Sequence, residues 1–470
     1  MDNENIVVET TTVAERMDTL IEDILQLLEE KKYMAARQLL LENNAVDIAE
    51  VLEEIMDEMD VDRAVIMFRT LPKDISADVF AYMNSEDQVD IIGAITYSEL
   101  NYIMEELAFD DLIDVLEELP ANLVDKILNQ TTKEERDLIN TFLKYPENSA
   151  GSLMTIDYVE LSRDMTVAQA MAHIKEVGID SETVYTCYVK DNKRHLEGIV
   201  SLRALVVAPD DDLVEEYMHE DIMAVNVYED QEEVSNLFKR YGYLAIPVVD
   251  NENRIVGIIT VDDIMDVVEE ETTEDIERMA GVIDFDDSDT EYLDMSVWRH
   301  VKSRLPWLFF LMCSYVITGG IISGFEEALS KMVCLVSYMP MLMGTGGNSG
   351  SQSATLVIRG MSLDEIDPSD WIKVLWKELR ISATIGILLS ILNFARICLM
   401  DGEGPMVALA VSASMFVIVI AAKSIGGLLP MAAKKLGIDP ALMASPMISS
   451  LTDMVSVVTY FTMATTILGI

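Results

Sequence analysis

Residues 340–360 read PMLMGTGGNSGSQSATLVIRG and lie inside an apolar final third of the chain. The centre, 344–353, holds four Gly with Thr, Asn, Gln and three Ser, and no apolar side chain. The reading of this stretch decides the C-terminal fold. Five apolar runs follow Trp298: 305–323, a second from Met332 into the quoted stretch, 381–400, 405–429, and 443 to the end. Each reaches about 20 residues, enough to cross a bilayer. Irregular, polar backbone at membrane depth is tolerated only where protein or water satisfies it. Broken helices of this kind line ion and substrate paths. The pattern predicts a broken second span whose carbonyls and amides hold or replace an ion's water. The competing reading is a small-residue face for close helix packing.

The fifth run sharpens the pathway reading. Between 441 and 470 the one charged residue is Asp453, in MISSLTDMVSVV. An acid in a transmembrane segment is costly and points to function. Arg396 and Lys423 also fall in spans; both are read as snorkelling or structurally paired and receive no role. The oxygen donors, with no His or Cys cluster, suit Mg²⁺, Ca²⁺ or Mn²⁺. One Asp per chain suits an ion that keeps most of its water, as Mg²⁺ does.

Basic residues orient the spans. Arg299, Lys302 and Arg304 precede the first; Arg359, Lys373, Lys377 and Arg380 separate the second and third; Lys434 and Lys435 separate the fourth and fifth. The opposite loops, FEEALSK and DGEG, hold one Lys. The expected location is the cell inner (plasma) membrane, multi-pass, with the N-terminus cytoplasmic and the C-terminus outside. Trp371 and Trp376 suit a helix lying at the cytoplasmic interface.

The charge is split. From residue 298 onward 12 Lys and Arg face 11 Asp and Glu, a balance of +1, whereas the first 297 residues carry 21 and 72, or −51, so they hold the whole excess behind the net charge of −50. Such an acidic region excludes nucleic acid as a partner, because backbone binding needs Lys and Arg, and favours cations. Four scattered Cys without C-x-x-C give neither a disulfide framework nor a zinc site. The polar, acidic first thirty residues do not read as a signal peptide. No nucleophile triad, P-loop or metal-hydrolase motif is present, so an enzyme is not expected.

Residues 1–130 alternate short amphipathic segments such as AVDIAEVLEEIM and DDLIDVLEELP, which predict a superhelical array of helices. Near Met154 strand patterns begin (TIDYVEL, TVYTCYVK, EGIVSL) around a helix, MTVAQAMAHIKEVG. The order recurs about 60 residues on, with GIVSLRALV and GIITVDDIM as landmarks. This repeat resembles a pair of cystathionine-β-synthase (CBS) domains. CBS pairs hold adenine nucleotides through a Ser or Thr followed three residues later by Asp. The second copy has Thr260 and Asp263, but the first has Ser201 and Ala204, which argues against ATP as a cofactor; Asp263 is assigned to cation binding instead. The following segment, 263–281, reads as one acidic helix. Glu270/Glu274 and Glu271/Asp275 stack like charges on neighbouring turns, which is unfavourable unless neutralised.

An acidic helical domain, a CBS pair, an acidic connecting helix and five spans together resemble the MgtE family of magnesium channels or transporters. GTGGNSGSQSATLVIRG is similar to that family's pore signature, and LGIDPALMASPMISSLTDMV to its final-span motif. The implied architecture is a 1–20 tail, a helical domain (21–145), CBS domains (146–206 and 207–268), a connecting plug helix and linker (269–297) and an all-α pore domain of five helices per subunit (298–470). The resemblance implies a homodimer in the lipid bilayer with one pore on the two-fold axis. Asp453, Asn348, Asp439, Gly346, Gly347 and Gln352 would form the ion path. Asp78, Asp110, Asp114, Asp230, Glu232, Asp263, Asp266, Glu271, Glu274 and Asp275 would bind regulatory Mg²⁺. Gly242 stands where the family can have an acid. The function implied is Mg²⁺ import, closed by cytoplasmic Mg²⁺. The alternatives are a CBS-regulated transporter of Co²⁺ or Mn²⁺, or a regulatory membrane protein with no pore.

Overall fold

The computed structural model describes residues 13–128, 131–179, 181–282, 292–293, 295–363, 365–443 and 445–470. Much of the expected tail and part of the 269–297 linker lie outside the described residues. The chain forms two compact units, which divide between Glu269 and Glu270.

The first unit begins with short helices from Val13–Glu29 to Lys133–Phe142. Their boundaries follow local chemistry. Asp60 caps the helix Val61–Phe68 by accepting from the Arg63 N–H at 2.8 Å. Thr132 and Glu135 form a reciprocal capping box, which satisfies donors the first turn leaves open. The apolar faces meet in one core through Leu52, Ile55, Phe80 and Ile91. That core continues into Val225, Phe238 and Ile264 of the second repeat and the connecting helix, so the array and the repeats fold as one body.

The repeat appears as two three-stranded sheets. In the first, β1 (Tyr158–Leu161) pairs parallel with β2 (Thr183–Lys190), and β2 antiparallel with β3 (Leu196–Ser201). The second repeats this with β4 (Val225–Asn226), β5 (Ala245–Val249) and β6 (Ile255–Thr260). The chain entering the first repeat crosses over: Thr155 bridges Ile258 of β6. A continuous helix, Val261–Ala280, leaves the second sheet. The expected like-charge repulsion on it is relieved in part by Arg278, which pairs with Glu274 one turn away.

The second unit is helical. Among the described residues, four helical segments are long and apolar enough to cross a membrane: Val297–Gly324, Pro368–Asp401, Pro405–Lys435 and Ala441–Leu468. The Gly-rich helix, Met339–Ser362, has 24 residues, about 36 Å at 1.5 Å per residue; it lies along the fourth- and fifth-span helices. Two expectations are corrected here. The quoted stretch is not broken but one uninterrupted helix. Its glycines cost helix propensity, about 1 kcal/mol each, but they let neighbouring helices approach closely. A Cβ at Gly350 would lie 2.7 Å from Ile448 Cγ2, and one at Gly426 would run into the Gly350 carbonyl oxygen. The second correction concerns Trp371 and Trp376. They stand on the first turns of the long helix Trp371–Arg396, not on a separate helix in the interface, because no Gly or Pro interrupts the chain between them and the apolar run.

Candidate ion pathway and acidic sensor

The Gly-rich helix has two faces. Gly346, Gly347, Ser349, Gly350, Ser353 and Ala354 are buried, whereas Gly344, Asn348 and Gln352 are exposed. The exposed residues recur every four positions, so they form one stripe. The fifth-span helix, Ser445–Leu468, meets the buried face through Ser449, Thr452 and Ser456. Asp453 follows Thr452 and is half-buried, so its carboxylate stands beside this seam rather than in it. The predicted Gly346 and Gly347 are thus packing positions, and Asn348, Gln352 and Asp453 are the pathway candidates that reach the surface of the protomer. A polar stripe at this depth faces water or protein, not hydrocarbon.

Asp439 lies past the fourth-span helix. One carboxylate oxygen accepts from the Ala441 N–H at 2.8 Å, and the other from Arg278 Nη1 at 2.8 Å. Arg278 was not a sequence-level candidate; a lone basic residue in the last turn of an acidic helix is the signal that marks it.

Elsewhere in the second unit a charged group is buried and, among the described residues, forms no ion pair. Lys423, 4% exposed, donates to the Ser349 carbonyl (3.5 Å) and the Ser353 hydroxyl (3.3 Å). Ser353 in turn donates to Glu378 Oε2 at 2.7 Å. The sequence reading of Lys423 as a snorkelling or merely paired side chain misses this link to the Gly-rich helix.

The first unit gathers carboxylates. Burial pushes Asp110 up to about 8, with Asp263, Asp111 and Glu182 adding repulsion. Asp111 rises to about 6 through burial and then the charges of Asp263 and Asp78. Burial, followed by Asp263, Asp262 and Asp111, also raises Glu182. Burial raises Asp263 too, opposed by a 2.6 Å bond from the Thr260 hydroxyl to its Oδ2. Oδ1 of Asp110 is buried with no hydrogen-bond partner. Asp266 and Asp262 act on Tyr82 in the same neighbourhood. Asp111 and Glu182 are additions to the predicted set; Asp111 adjoins Asp110, but Glu182, just before β2, carries no sequence signal. The hard oxygen donors suit a divalent cation, yet among the described residues no three His, Cys, Asp or Glu side chains stand close enough to hold one.

Other predicted regulatory residues serve local structure as well. Asp230 caps the helix Gln231–Tyr241 by accepting from the Glu232 N–H. Gly242 ends the same helix at φ +66°, a conformation that favours glycine over an acid. Asp78 and Asp114 are exposed. Glu271, Glu274 and Asp275 lie on the connecting helix. Ser201 accepts from the Ala204 N–H as a helix cap.

Comparison with known proteins agrees with this architecture. The family described as "Divalent cation transporter" (MgtE) matches residues 339–463, the MgtE intracellular N domain matches 43–148, and a CBS domain matches 214–270. A magnesium transporter MgtE of Thermus thermophilus is 35% identical over 451 residues, covering 93% of this chain and 98% of the relative. One of Bacillus subtilis is 32% identical over 448 residues, covering 95% and 97%. A crystal structure of the cytosolic domain of the Mg²⁺ channel MgtE in complex with ATP is 32% identical, covers 53% of this chain and 99% of its own, and has a TM-score of 0.49. With relatives above 30% identity spanning nearly its full length, the chain belongs to the MgtE family.

Proposed function

We propose that the chain is a homodimeric Mg²⁺ channel or transporter that imports Mg²⁺ and is closed by cytoplasmic Mg²⁺. The observation that carries this reading is the exposed stripe of Asn348 and Gln352 on the Gly-rich helix, with the half-buried Asp453 on the fifth-span helix packed along it. Two protomers facing each other across these residues would enclose a polar path with one carboxylate from each. The amide and carboxylate oxygens there accept hydrogen bonds from the ion's water shell, and Asp453 offsets its charge. Named relatives are magnesium transporters, which supports the same substrate.

The gate follows from the acidic first unit. Asp110, Asp111, Glu182 and Asp263 repel one another when ionised, and a divalent cation held among them would offset that repulsion. A ligand shifts an equilibrium only by binding one state better; here that state is the packed arrangement. As internal Mg²⁺ falls, the carboxylates separate and the connecting helix is released. Asp263 lies among the repelling charges of Asp110 and Asp111, so we assign it to cation sensing; Thr260 and Asp263 of the second repeat carry the nucleotide pattern that the first repeat, with Ala204, lacks.

The test is Mg²⁺ influx into proteoliposomes at low internal Mg²⁺. Wild type is expected to conduct and Asp453→Asn to lose selective influx. Equal influx in the two would make Asp453 a structural acid and overturn the pathway.

A further inference from the structure

The seam between the Gly-rich helix and its neighbours is smooth. Gly346, Gly347 and Gly350 present no side chains there. Small-residue faces permit close approach, but at these turns the helix contributes no large side chain of its own to the seam, so the polar contacts of Ser349 and Ser353 are what these turns add to fix its rotation. Rotation matters, because one step along the sequence turns a helix by about 100°. Asn348 and Gln352 on the exposed stripe each adjoin a buried serine, Ser349 and Ser353.

Those two serines are where Lys423 acts. Its ammonium reaches the Ser349 carbonyl at 3.5 Å and the Ser353 hydroxyl at 3.3 Å, and Ser353 donates its own hydrogen bond to Glu378 Oε2 at 2.7 Å. Lys423, Ser353 and Glu378 are 4%, 1% and 7% exposed. They come from the fourth-span helix, the Gly-rich helix and the third-span helix. Among the described residues Lys423 makes no direct ion pair, and the Ser353 hydroxyl bridges the two charges. An ammonium has donors but no acceptor, and a carboxylate the reverse. The chain of bonds therefore runs in one direction and fixes the serine hydroxyl.

We propose that Lys423 is a positioning residue for the cation pathway. With Glu378 as counter-charge, it holds Ser349 and Ser353 and so sets the rotation at which Asn348 and Gln352 face the ion. The proposal rests on the pathway reading above. It adds a role for a buried cation that never touches the permeating one.

The experiment uses the full chain in proteoliposomes, measuring Mg²⁺ influx, discrimination against Na⁺ and the thermal midpoint. Lys423→Met is expected to lower Mg²⁺-over-Na⁺ selectivity about tenfold, the scale of losing one or two buried hydrogen bonds. The double variant Lys423→Met/Glu378→Gln removes both charges. It is expected to regain thermal stability while selectivity stays low. Recovery of both would mean that Lys423 only balances Glu378, and the proposal fails. Should Lys423→Met not fold, Ser353→Ala breaks the relay without altering charge and is expected to lower selectivity several-fold; wild-type selectivity in that variant overturns the proposal. Failure of the pathway reading looks different, because Asp453→Asn then conducts as wild type does.

Discussion

Arg278 of the connecting helix donates to the carboxylate of Asp439 at 2.8 Å. The guanidinium occupies the charge partner's place at a residue expected to meet Mg²⁺ leaving the path. Both side chains are partly exposed, at 39% and 29%, so the pair adds no more than about 1 kcal/mol of stability. Arg278→Ala is expected to shift the unfolding midpoint little yet to raise Mg²⁺ influx at high internal Mg²⁺. Influx measured across internal Mg²⁺ concentrations checks this. An unchanged closing curve would reduce the pair to a surface contact.

The acidic sensor predicts coupled pH and Mg²⁺ effects. Asp110 and Asp111 are raised from ordinary carboxyl values to about 8 and about 6. A raised acid contributes stability below its unfolded value, and that contribution is lost as pH rises through the folded value. Without divalent cations, the unfolding midpoint of the first unit should therefore be higher at pH 6 than at pH 8. Added Mg²⁺ competes with protons, so it should raise the midpoint more at pH 8. Hydrogen exchange on the full chain reads the helix Phe109–Glu118 directly. An equal Mg²⁺ effect at both pH values would dissociate these carboxylates from cation binding.

Two glycines of one helix should respond oppositely to alanine. At Gly350 a Cβ meets Ile448 Cγ2 at 2.7 Å and Thr452 Cγ2 at 3.1 Å, and overpacking of that kind costs about 1–3 kcal/mol. At Gly344 nothing lies within 4 Å, so alanine gains up to about 1 kcal/mol of helix propensity. Thermal midpoints in detergent distinguish them. Equal effects would mean that the close seam is absent in solution.

Much of this was legible in the sequence. The strands β1–β3 and β5–β6, the helix after Thr260 and the apolar runs follow directly from periodicity and length. β4 shrank to Val225–Asn226 within a longer strand-like run, since only that part finds a partner in β5. The Gly-rich stretch misled because glycine signals both irregular backbone and close helix contact. Only tertiary neighbours such as Ile448 and Gly426 separate the two. Asp453 announced itself as the one charge in an apolar span. Lys423 did not, because a lone lysine in a span is usually drawn to the surface, and its partners Ser353 and Glu378 are 70 and 45 residues away in sequence. The convergence of Asp111 and Glu182 is likewise a product of the fold.

The unbroken course of the Gly-rich helix also bears on speed. Its peptide carbonyls bond to the next turn of the same helix, and that of Ser349 also accepts from Lys423, so the central turns offer no run of free carbonyls to trade for an ion's inner-sphere water. On the pathway proposed above, passage would require no ligand exchange at the metal, a slow event for so small and highly charged an ion. The rate would then be set by how often the proposed gate stands open and how wide the proposed gap between protomers becomes, not by stripping and restoring a solvent shell.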